Sequence, residues 1–390
     1  MPTHRFVLAH AGHPRWQMAL ELCAAQLHGA MVSQETAVAY PLGFCYLTDY
    51  YAADADAILA ALGSRFPDTE WVGSVGVGVC ANGQEYFDRP AMSLMLAPLA
   101  PADFRIFSGR RPLGRDLDFQ AHTALVHAEG ATPDLQELLL ELADRTTTGY
   151  LFGGLAASRE RSFAIAGEVL SGGLSGVAFG AGVEVMSRVT QGCQPVGPAR
   201  RVTEFQGHFL IGLENQPALA CALSDLGLPE DVDQDELARM LAATLVGISR
   251  GHDDSAPAPG RFGTATLVRH ILGVDPEAGV LAIAEELGPE MELSFCARNP
   301  DAALADLRRA ARELRDAAAG RRIAGALYVS CSGRGGDHFG APNAELVAIR
   351  DAIGDVPLAG FFAGGEIARD RLYGYTGVLT LFLAPVAARP

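Results

Sequence analysis

The chain has 390 residues, of which 49% are apolar and 19% charged, and its formal net charge at pH 7 is −16. This composition supplies a large core and excludes a disordered chain. The negative charge repels nucleic-acid phosphates and anionic lipids, so we expect neither as a partner. The N-terminal sequence lacks the apolar core of a signal peptide, and no apolar run reaches the ~18 residues that span a bilayer, which predicts a cytoplasmic protein.

The cysteines and histidines form no recognisable metal or disulfide pattern. The seven cysteines are scattered without a C-x-x-C pair, which is typical of reduced thiols. The ten histidines lack H-E-x-x-H spacing, so we expect no metal site. The G-x-G-x-x-G, G-x-x-x-x-G-K-S/T and G-x-S-x-G motifs are also absent, which weakens dehydrogenase, nucleoside triphosphatase and esterase interpretations.

In chain order, a unit of strand, helix, glycine-rich strand and returning strand is predicted three times. The first copy comprises Thr36–Ala39, Asp54–Phe66, Trp71–Val77 and Met92–Leu99. The second comprises Thr123–His127, Pro133–Asp144, Tyr150–Leu155 and Leu174–Phe179. The third comprises Ala326–Ser330, Asn343–Ile353, Pro357–Phe362 and Gly377–Leu383. The repeats predict a pseudo-symmetric protein built by duplication of one unit.

A further amphipathic helix precedes the first and third copies but not the middle copy, which is more diverged. The apolar positions of these helices are Trp16, Leu20, Cys23 and Leu27, and then Leu304, Leu307, Ala311 and Leu314. Duplicated αβαββ units predict an α/β fold, with a layered α+β arrangement as the alternative. The sequence does not predict the order of the strands.

A long insert separates the second copy from the third, from Gly180 to Met291. Its clearest helix is predicted at Asp235–Val246. The stretch Gly251–Gly263 has the glycine, proline, aspartate and serine content of an exposed loop. It is either a surface excursion or a lid, because long loops in compact domains are often functional.

The candidate site lies in three glycine-rich turns of the third copy, each at the end of an apolar run. Such turns build small-molecule pockets in α/β layers. The candidate ligand-binding residues are Cys331, Gly333, Arg334, Gly335, Gly365, Glu366 and Tyr375.

Two of these residues carry charge. The Arg334 guanidinium could clamp a ligand carboxylate, or it could form a structural salt bridge with Glu345 or Glu366. The Glu366 carboxylate could bind a ligand ammonium group, or it could cap backbone amides in its turn. Together, Arg334 and Glu366 would suit a zwitterion, if both face one pocket.

Two other chemistries stay open. The thiol of Cys331, beside Arg334, could be a nucleophile with His338 as its base, although a small buried residue at a strand end is the simpler interpretation. A pocket histidine could ligate a haem iron, with His208, His252, His270 and His338 as the candidates. No C-x-x-C-H motif for covalent haem is present.

The chain resembles the FIST family (F-box and intracellular signal transduction) over nearly its whole length. The matching motifs of the C-terminal half are S-C-x-G-R-G at 330–335, Phe339-Gly340, Asp355–Phe362, Gly365–Ile367 and Gly374–Thr376. Those of the N-terminal half are Trp71–Ser74, Leu151–Ala156 and Gly176–Phe179. The resemblance implies a FIST N-type domain at 30–215 and a FIST C-type domain at 216–384. Ala363-Gly364 departs from the bulkier or polar residues that relatives often carry.

The resemblance also implies a function. Proteins of this family are regarded as sensory, ligand-binding domains of intracellular signalling without an assigned catalytic activity. Amino acids have been proposed as ligands, and some members are described as haem-binding nitric oxide sensors. No F-box, kinase, cyclase or chemotaxis output domain accompanies the resemblance, so we expect the protein to act on a separate signalling protein.

Three hypotheses follow. The first is a sensor that binds an amino acid or similar small polar metabolite. The second is a haem-binding nitric oxide sensor. The third is a hydrolase or transferase that depends on Cys331. The sequence does not identify the ligand, the partner or the oligomeric state.

Overall fold

The computed structural model describes residues 5–34, 38–114, 118–229, 233–250, 262 and 266–385. The α-helices of these residues are α1 (Trp16–Val32), α2 (Ala55–Arg65), α3 (Leu135–Asp144), α4 (Ala218–Leu226), α5 (Gln234–Ala243), α6 (Pro300–Ala317) and α7 (Ala344–Ile353).

The strands before residue 191 are β1 (Val7–Gly12), β2 (Leu42–Thr48), β3 (Glu70–Gly76), β4 (Gly78–Ala81), β5 (Gln84–Phe87), β6 (Ala91–Ala97), β7 (Phe104–Ser108), β8 (Ala121–Glu129), β9 (Tyr150–Ala156), β10 (Ala164–Ala166), β11 (Val169–Leu170), β12 (Leu174–Gly180) and β13 (Val185–Thr190). Those that follow are β14 (Cys193–Pro195), β15 (Arg200–Gln206), β16 (Phe209–Leu213), β17 (Gln216–Pro217), β18 (Leu245–Arg250), β19 (Leu267–Asp275), β20 (Val280–Ile283), β21 (Met291–Arg298), β22 (Ile323–Cys331), β23 (Leu358–Ala363), β24 (Glu366–Arg369), β25 (Arg371–Tyr373) and β26 (Gly377–Leu383).

The chain folds into two compact units, Met1–Thr190 with Leu304–Pro390, and Gln191–Ala303. This division differs from the domains expected at 30–215 and 216–384. The physical reason is that β13 pairs with β26, so the C-terminal strand shares a sheet with residues 185–190 at the start of the predicted insert. The first unit therefore contains all three predicted repeats.

Three six-stranded sheets of the first unit have one plan. Each runs from a leading strand through a returning strand and two central strands to a hairpin. Their orders are β1-β6-β2-β3-β10-β11, β7-β12-β8-β9-β24-β25 and β13-β26-β22-β23-β4-β5. Only the two central strands of each sheet pair in parallel, and α2, α3 and α7 make the crossovers that parallel pairing requires. The α/β fold expected from the repeats is confirmed.

We name the three repeats module 1 (residues 7–97), module 2 (104–180) and module 3 (185–190 with 304–383). The terminal hairpin of each sheet comes from another module. The β4–β5 hairpin of module 1 joins the sheet of module 3, β10–β11 of module 2 joins that of module 1, and β24–β25 of module 3 joins that of module 2. This cyclic exchange ties the three modules into one unit.

One glycine recurs at the same place in each module. Gly73, Gly153 and Gly360 lie on the second central strand, opposite Cys45, Val126 and Tyr328 of the first. A Cβ atom at these glycines would lie 1.7, 1.9 and 1.8 Å from the carbonyl oxygen of the opposite residue. Only glycine permits this approach of the two backbones.

Aromatic rings from all three sheets meet in the core of the first unit. The Phe382 ring of β26 lies 6.1 Å from Phe44 of β2, 6.4 Å from Phe152 of β9 and 5.5 Å from Phe179 of β12. All four side chains are buried. The three modules therefore share one core.

The second unit is an antiparallel ring of strands. Its order is β21-β15-β16-β20-β19-β18, and β18 pairs again with β21. The helix predicted at Asp235–Val246 ends at Ala243, because Leu245 and Val246 belong to β18. The expected loop or lid at Gly251–Gly263 lies outside the described residues, apart from Phe262.

The first central strand of module 1 was predicted too early. Thr36 and Ala37 lie outside the described residues, and Val38 and Ala39 have no regular structure. The strand is Leu42–Thr48, whose seven residues are all buried. Burial on both faces removes the alternation of apolar and polar residues that marks a strand in sequence.

Candidate functional site

The three candidate turns converge at the end of the central strands of module 3. β22 ends at Cys331, and a 3₁₀ turn at Ser332–Arg334 follows. Glu366 opens the hairpin after β23, and Thr376 precedes β26. The Cys331 amide donates to the Thr376 carbonyl at 3.0 Å, which joins the first turn to the third.

Arg334 is buried in an ion pair with Glu345. Its Nε and Nη2 atoms donate to Glu345 Oε1 at 2.9 and 2.7 Å, and Arg334 is 2% exposed. The hydroxyl groups of Tyr328 and Ser330 donate to the same carboxylate at 2.6 and 2.8 Å. The structural salt bridge considered for Arg334 is therefore present. The remaining nitrogen of the Arg334 guanidinium, Nη1, is buried and has no hydrogen-bond partner.

Glu366 is completely buried, and only one of its oxygens is hydrogen bonded. Oε2 accepts from the Thr376 amide at 3.0 Å and from the Thr376 hydroxyl at 2.7 Å, whereas Oε1 has no partner. Burial raises the pKa of Glu366 to about 8, although the Thr376 hydrogen bonds and the Arg334 charge act in the opposite direction. The carboxyl group is therefore mostly neutral at pH 7.

A third buried carboxylate comes from the exchanged hairpin of module 1. Glu85 is 8% exposed, and its carboxylate accepts the Gly336 amide. Burial and the negative charge of Glu345 raise the pKa of Glu85 to about 7. The cluster thus combines three buried carboxyl groups with one guanidinium, and two of these carboxyl groups have raised pKa values. A bound cation would favour their ionised forms.

The glycines of the turns are held by packing. A Cβ atom at Gly335 would lie 2.3 Å from the Phe87 ring of the exchanged hairpin. A Cβ atom at Gly365 would lie 3.1 Å from Leu372 and 3.2 Å from Leu155. Gly333 and Tyr375 are half-buried, and Tyr375 has a left-handed φ of 60°. Close approach of side chains therefore accounts for glycine at 335 and 365.

Cys331 does not have the surroundings of a nucleophile. Its thiol is buried, and burial raises its pKa to about 12, although the amides of Gly333 and Tyr375 donate hydrogen bonds to the sulfur. A thiolate is the reactive form of cysteine, so this environment disfavours reaction near neutral pH.

The other two modules show which of these side chains the fold requires. In each sheet, one residue of the exchanged hairpin lies opposite the residue that follows the recurring glycine. In the sheet of module 2 this residue is Glu366, opposite Gly154. In the sheets of modules 1 and 3 it is Ala164, opposite Ser74, and Val79, opposite Phe361. Ser330 occupies the position of Leu47 and Ala128 on the first central strand, and Tyr328 that of Cys45 and Val126. The same backbone plan therefore forms without these polar groups.

Of the histidines that the structure describes, His127 does not fit a haem ligand. His127 is completely buried, and its ring lies 5.7 Å from Tyr46 and 5.8 Å from Phe361, with no space for a porphyrin. Burial lowers its pKa to about 3. His338 is half-buried on the turn, edge-on to Phe339, while His208 and His270 are exposed. His252 lies outside the described residues.

A metal site is not found in the part of the chain that the structure describes. No group of three or more histidine, cysteine, aspartate or glutamate side chains there could hold an ion. Within the same residues, no helix is both long and apolar enough to cross a bilayer.

Sequence reasoning missed Glu85 and Tyr328. Tyr328 and Ser330 are polar residues two positions apart in an apolar strand, and this spacing places both on one face, which is a usable signal. Glu85 carries no such signal, because it reaches module 3 only through the exchanged hairpin.

Two family models match the chain, the FIST N domain over residues 41–216 and the FIST C domain over residues 218–369. The chain belongs to the FIST family. An uncharacterized protein of Mycobacterium tuberculosis is 30% identical over 341 residues, which cover 84% of this chain and 87% of that protein. An uncharacterized protein of Mycobacterium bovis is 30% identical over 386 residues, 94% of this chain and 95% of that protein. FIST domains imply a sensory role in signal transduction.

Proposed function

We propose that this FIST protein is a cytoplasmic sensor that binds an amino acid or a similar small polar metabolite at the turns of module 3 and acts on a separate signalling protein. The observation that carries the proposal is the pair of buried atoms without partners, Arg334 Nη1 and Glu366 Oε1. Buried polar groups are nearly always hydrogen bonded, and these two unpaired atoms belong to one charged cluster, in which the Arg334 charge acts on Glu366.

The two atoms have complementary chemistry. Arg334 Nη1 is a charged donor that suits a carboxylate, and Glu366 Oε1 is an acceptor that suits an ammonium group. The fold does not require Glu366, because modules 1 and 2 hold Val79 and Ala164 at its position. A buried carboxyl group kept where an alanine suffices elsewhere supports a role in binding.

The protonation of Glu366 makes binding depend on pH. An ammonium group binds the carboxylate form, and this form is the minority below a pKa of about 8. Binding therefore releases a proton in that range. We expect the affinity for an amine ligand to rise about tenfold per pH unit below pH 8 and to level off above it.

The proposal assigns binding to this site and no catalytic step. Cys331 contributes a neutral thiol that lines the turn beside Arg334, since burial keeps its pKa near 12. The Tyr375 backbone, which donates to that sulfur, fixes the third turn against the first.

The proposal is tested by thermal unfolding of the protein with a panel of amino acids and simple amines. A true ligand at about 100 times its Kd stabilises the folded protein by about 2.7 kcal/mol. We expect this shift in wild type and in Asp370→Asn, which removes a half-buried carboxylate from the same hairpin, but not in Glu366→Val. An equal shift in Glu366→Val, or no shift with any compound, would remove this site from the proposal.

A further inference from the structure

Module 2 lacks the covering helix that modules 1 and 3 possess. In module 1, α1 connects the leading strand β1 to the first central strand β2. In module 3, α6 immediately precedes the first central strand β22. The connection from β7 to β8 in module 2 spans residues 109–120, and its described part contains no helix. α3 is therefore the only helix of this module among the residues described.

The two covering helices share a sequence pattern. α1 carries Leu20, Cys23, Ala24 and Leu27, and α6 carries Leu307, Ala310, Ala311 and Leu314, so both read leucine-x-x-small-small-x-x-leucine. All eight residues are buried. Leucines seven positions apart lie on one face of a helix, and the small residues between them let the helix approach the sheet closely.

Both helices cover the side of the sheet formed by the leading and returning strands. α1 packs on β1 and β6 and against α2. In module 3, Leu307 and Leu314 pack with Leu379 and Leu381 of the returning strand, and Glu313 of α6 pairs with Arg188 of the leading strand at 3.5 Å.

The equivalent place in module 2 holds an apolar cavity of about 200 Å³. It lies between Phe107 of the leading strand, Leu174 of the returning strand, and Leu138 and Leu142 of α3. Leu113 of the 109–120 connection also lines it, and both Leu113 and Phe119 of this connection pack in the core cluster of module 2. The cavity is thus where a covering helix would place its leucines.

One face of α3 beside this cavity is acidic. α3 exposes Glu137, Glu141 and Asp144 at i, i+4 and i+7, and Glu141 lines the cavity, where it pairs with Arg145. The chain as a whole carries a net charge of −16. Both features favour a partner with basic residues beside its apolar face. α6 exposes Arg308, Arg312 and Arg315 at the same spacing, together with Glu313 and Asp316.

We propose that the cavity of module 2 receives an amphipathic helix of a separate protein, with leucine-x-x-small-small-x-x-leucine on its apolar face and basic residues beside it, completing the module as α1 and α6 complete the others. This inference rests on the proposed action on a separate protein and names the surface and the kind of partner. The partner helix would lie in an apolar groove and make the kind of contacts that α1 makes with the sheet of module 1.

The test uses the full-length protein with methyl-labelled leucines and, as the probe, a lactam-stapled peptide of residues 299–318, which carries the α6 pattern in helical form. We expect saturable shifts of the Leu138 and Leu142 methyl signals. Leu138→Gln should weaken binding about tenfold or more, as loss of a buried anchor does, while Leu140→Gln, on the exposed face of α3, should leave it unchanged.

A peptide with Leu307→Asp and Leu314→Asp is the matched control and should produce no shifts. The proposal is overturned if the stapled peptide leaves these methyl signals unmoved at millimolar concentration, or if octanoate moves them and the peptide does not, which would assign a small-ligand pocket. Repeating the titration with Glu366→Val separates the two proposals, because peptide binding should survive the loss of the module 3 site.

Discussion

Modules 1 and 3 each bury a carboxyl group near the end of a central strand, and the two groups differ in their hydrogen-bond partners and in the direction of their pKa shift. Asp49 of module 1 accepts the Arg159 amide at 3.0 Å and the Arg159 guanidinium at 2.8 and 2.9 Å. Burial alone would raise its pKa, but the bonds and charge of Arg159 hold the pKa of Asp49 below its usual range. Glu366 of module 3 has a free oxygen and a raised pKa.

The difference separates structure from candidate function. Asp49 with Arg159 is a completed ion pair, and its contribution is to hold two segments together. Arg334 with Glu345 is a buried ion pair of module 3, yet Arg334 Nη1 and the nearby Glu366 Oε1 have no hydrogen-bond partner. Modules that share a backbone plan therefore show which polar groups exceed what the fold needs.

The largest expected effect comes from breaking the buried ion pair of module 3. Arg334→Met leaves Glu345 buried without its charge partner and should destabilise the protein by about 3–5 kcal/mol, measured by urea unfolding. The double variant Arg334→Met with Glu345→Leu should recover part of that loss, because no unpaired charge stays buried, although the hydroxyl groups of Tyr328 and Ser330 lose their acceptor. A double variant as unstable as the single one would contradict the assignment of the loss to an uncompensated charge.

The equivalence of the modules predicts a common effect at three glycines. Alanine at Gly73, Gly153 or Gly360 drives a Cβ into a backbone carbonyl and should cost about 1–3 kcal/mol or more at each site. Gly63→Ala in α2, where a Cβ meets nothing within 4 Å, should instead stabilise by about 0.5–1 kcal/mol. The denaturant midpoints of the four variants measure these changes. If alanine at one of the three glycines left the midpoint unchanged, the three modules would not be equivalent at this position.

Glu366 should impose a pH dependence that Asp49 does not. Between pH 5 and 8 the folded protein keeps the Glu366 proton while the unfolded chain loses it, because the folded pKa is near 8. Folding stability therefore falls as pH rises, by up to about 1.4 kcal/mol per unit. The free energy of unfolding of Glu366→Gln, measured at several pH values, should lack this dependence on pH. Glu85 titrates in both proteins, so its contribution cancels in the comparison. Parallel curves would contradict the raised pKa.

The smallest effect is expected at Cys331. Because its pKa is near 12, iodoacetamide at pH 7 should label Cys331 no faster than the other buried thiols. Peptide mapping of the labelled protein measures the rate at each cysteine. Selective, fast modification of Cys331 would instead restore the nucleophile hypothesis.

Much of this architecture is readable from the sequence. The glycine-rich strands marked the three modules because the close strand pairing at Gly73, Gly153 and Gly360 demands glycine. The turns of module 3 were identified because charged residues follow apolar runs there. Arg334 and Glu366 were singled out as charges with two interpretations each.

Other features depend on contacts between distant residues. Val79 pairs with Phe361, and no local pattern near either residue indicates this hairpin exchange. The placement of Glu85 beside Gly336 follows from that exchange and was equally inaccessible. Whether a polar atom is left unpaired also depends on the packed structure, so the two atoms on which the proposed site rests could not be found from sequence.

The measurement that tests the central claim most directly is native mass spectrometry of undialysed wild type, Glu366→Val and Asp370→Asn. We expect wild type and Asp370→Asn to carry a small molecule with an amino group and Glu366→Val to lack it. The Glu366→Val protein should still fold, because valine and alanine occupy that position in modules 1 and 2. A molecule retained equally by all three proteins would contradict a ligand site at Glu366.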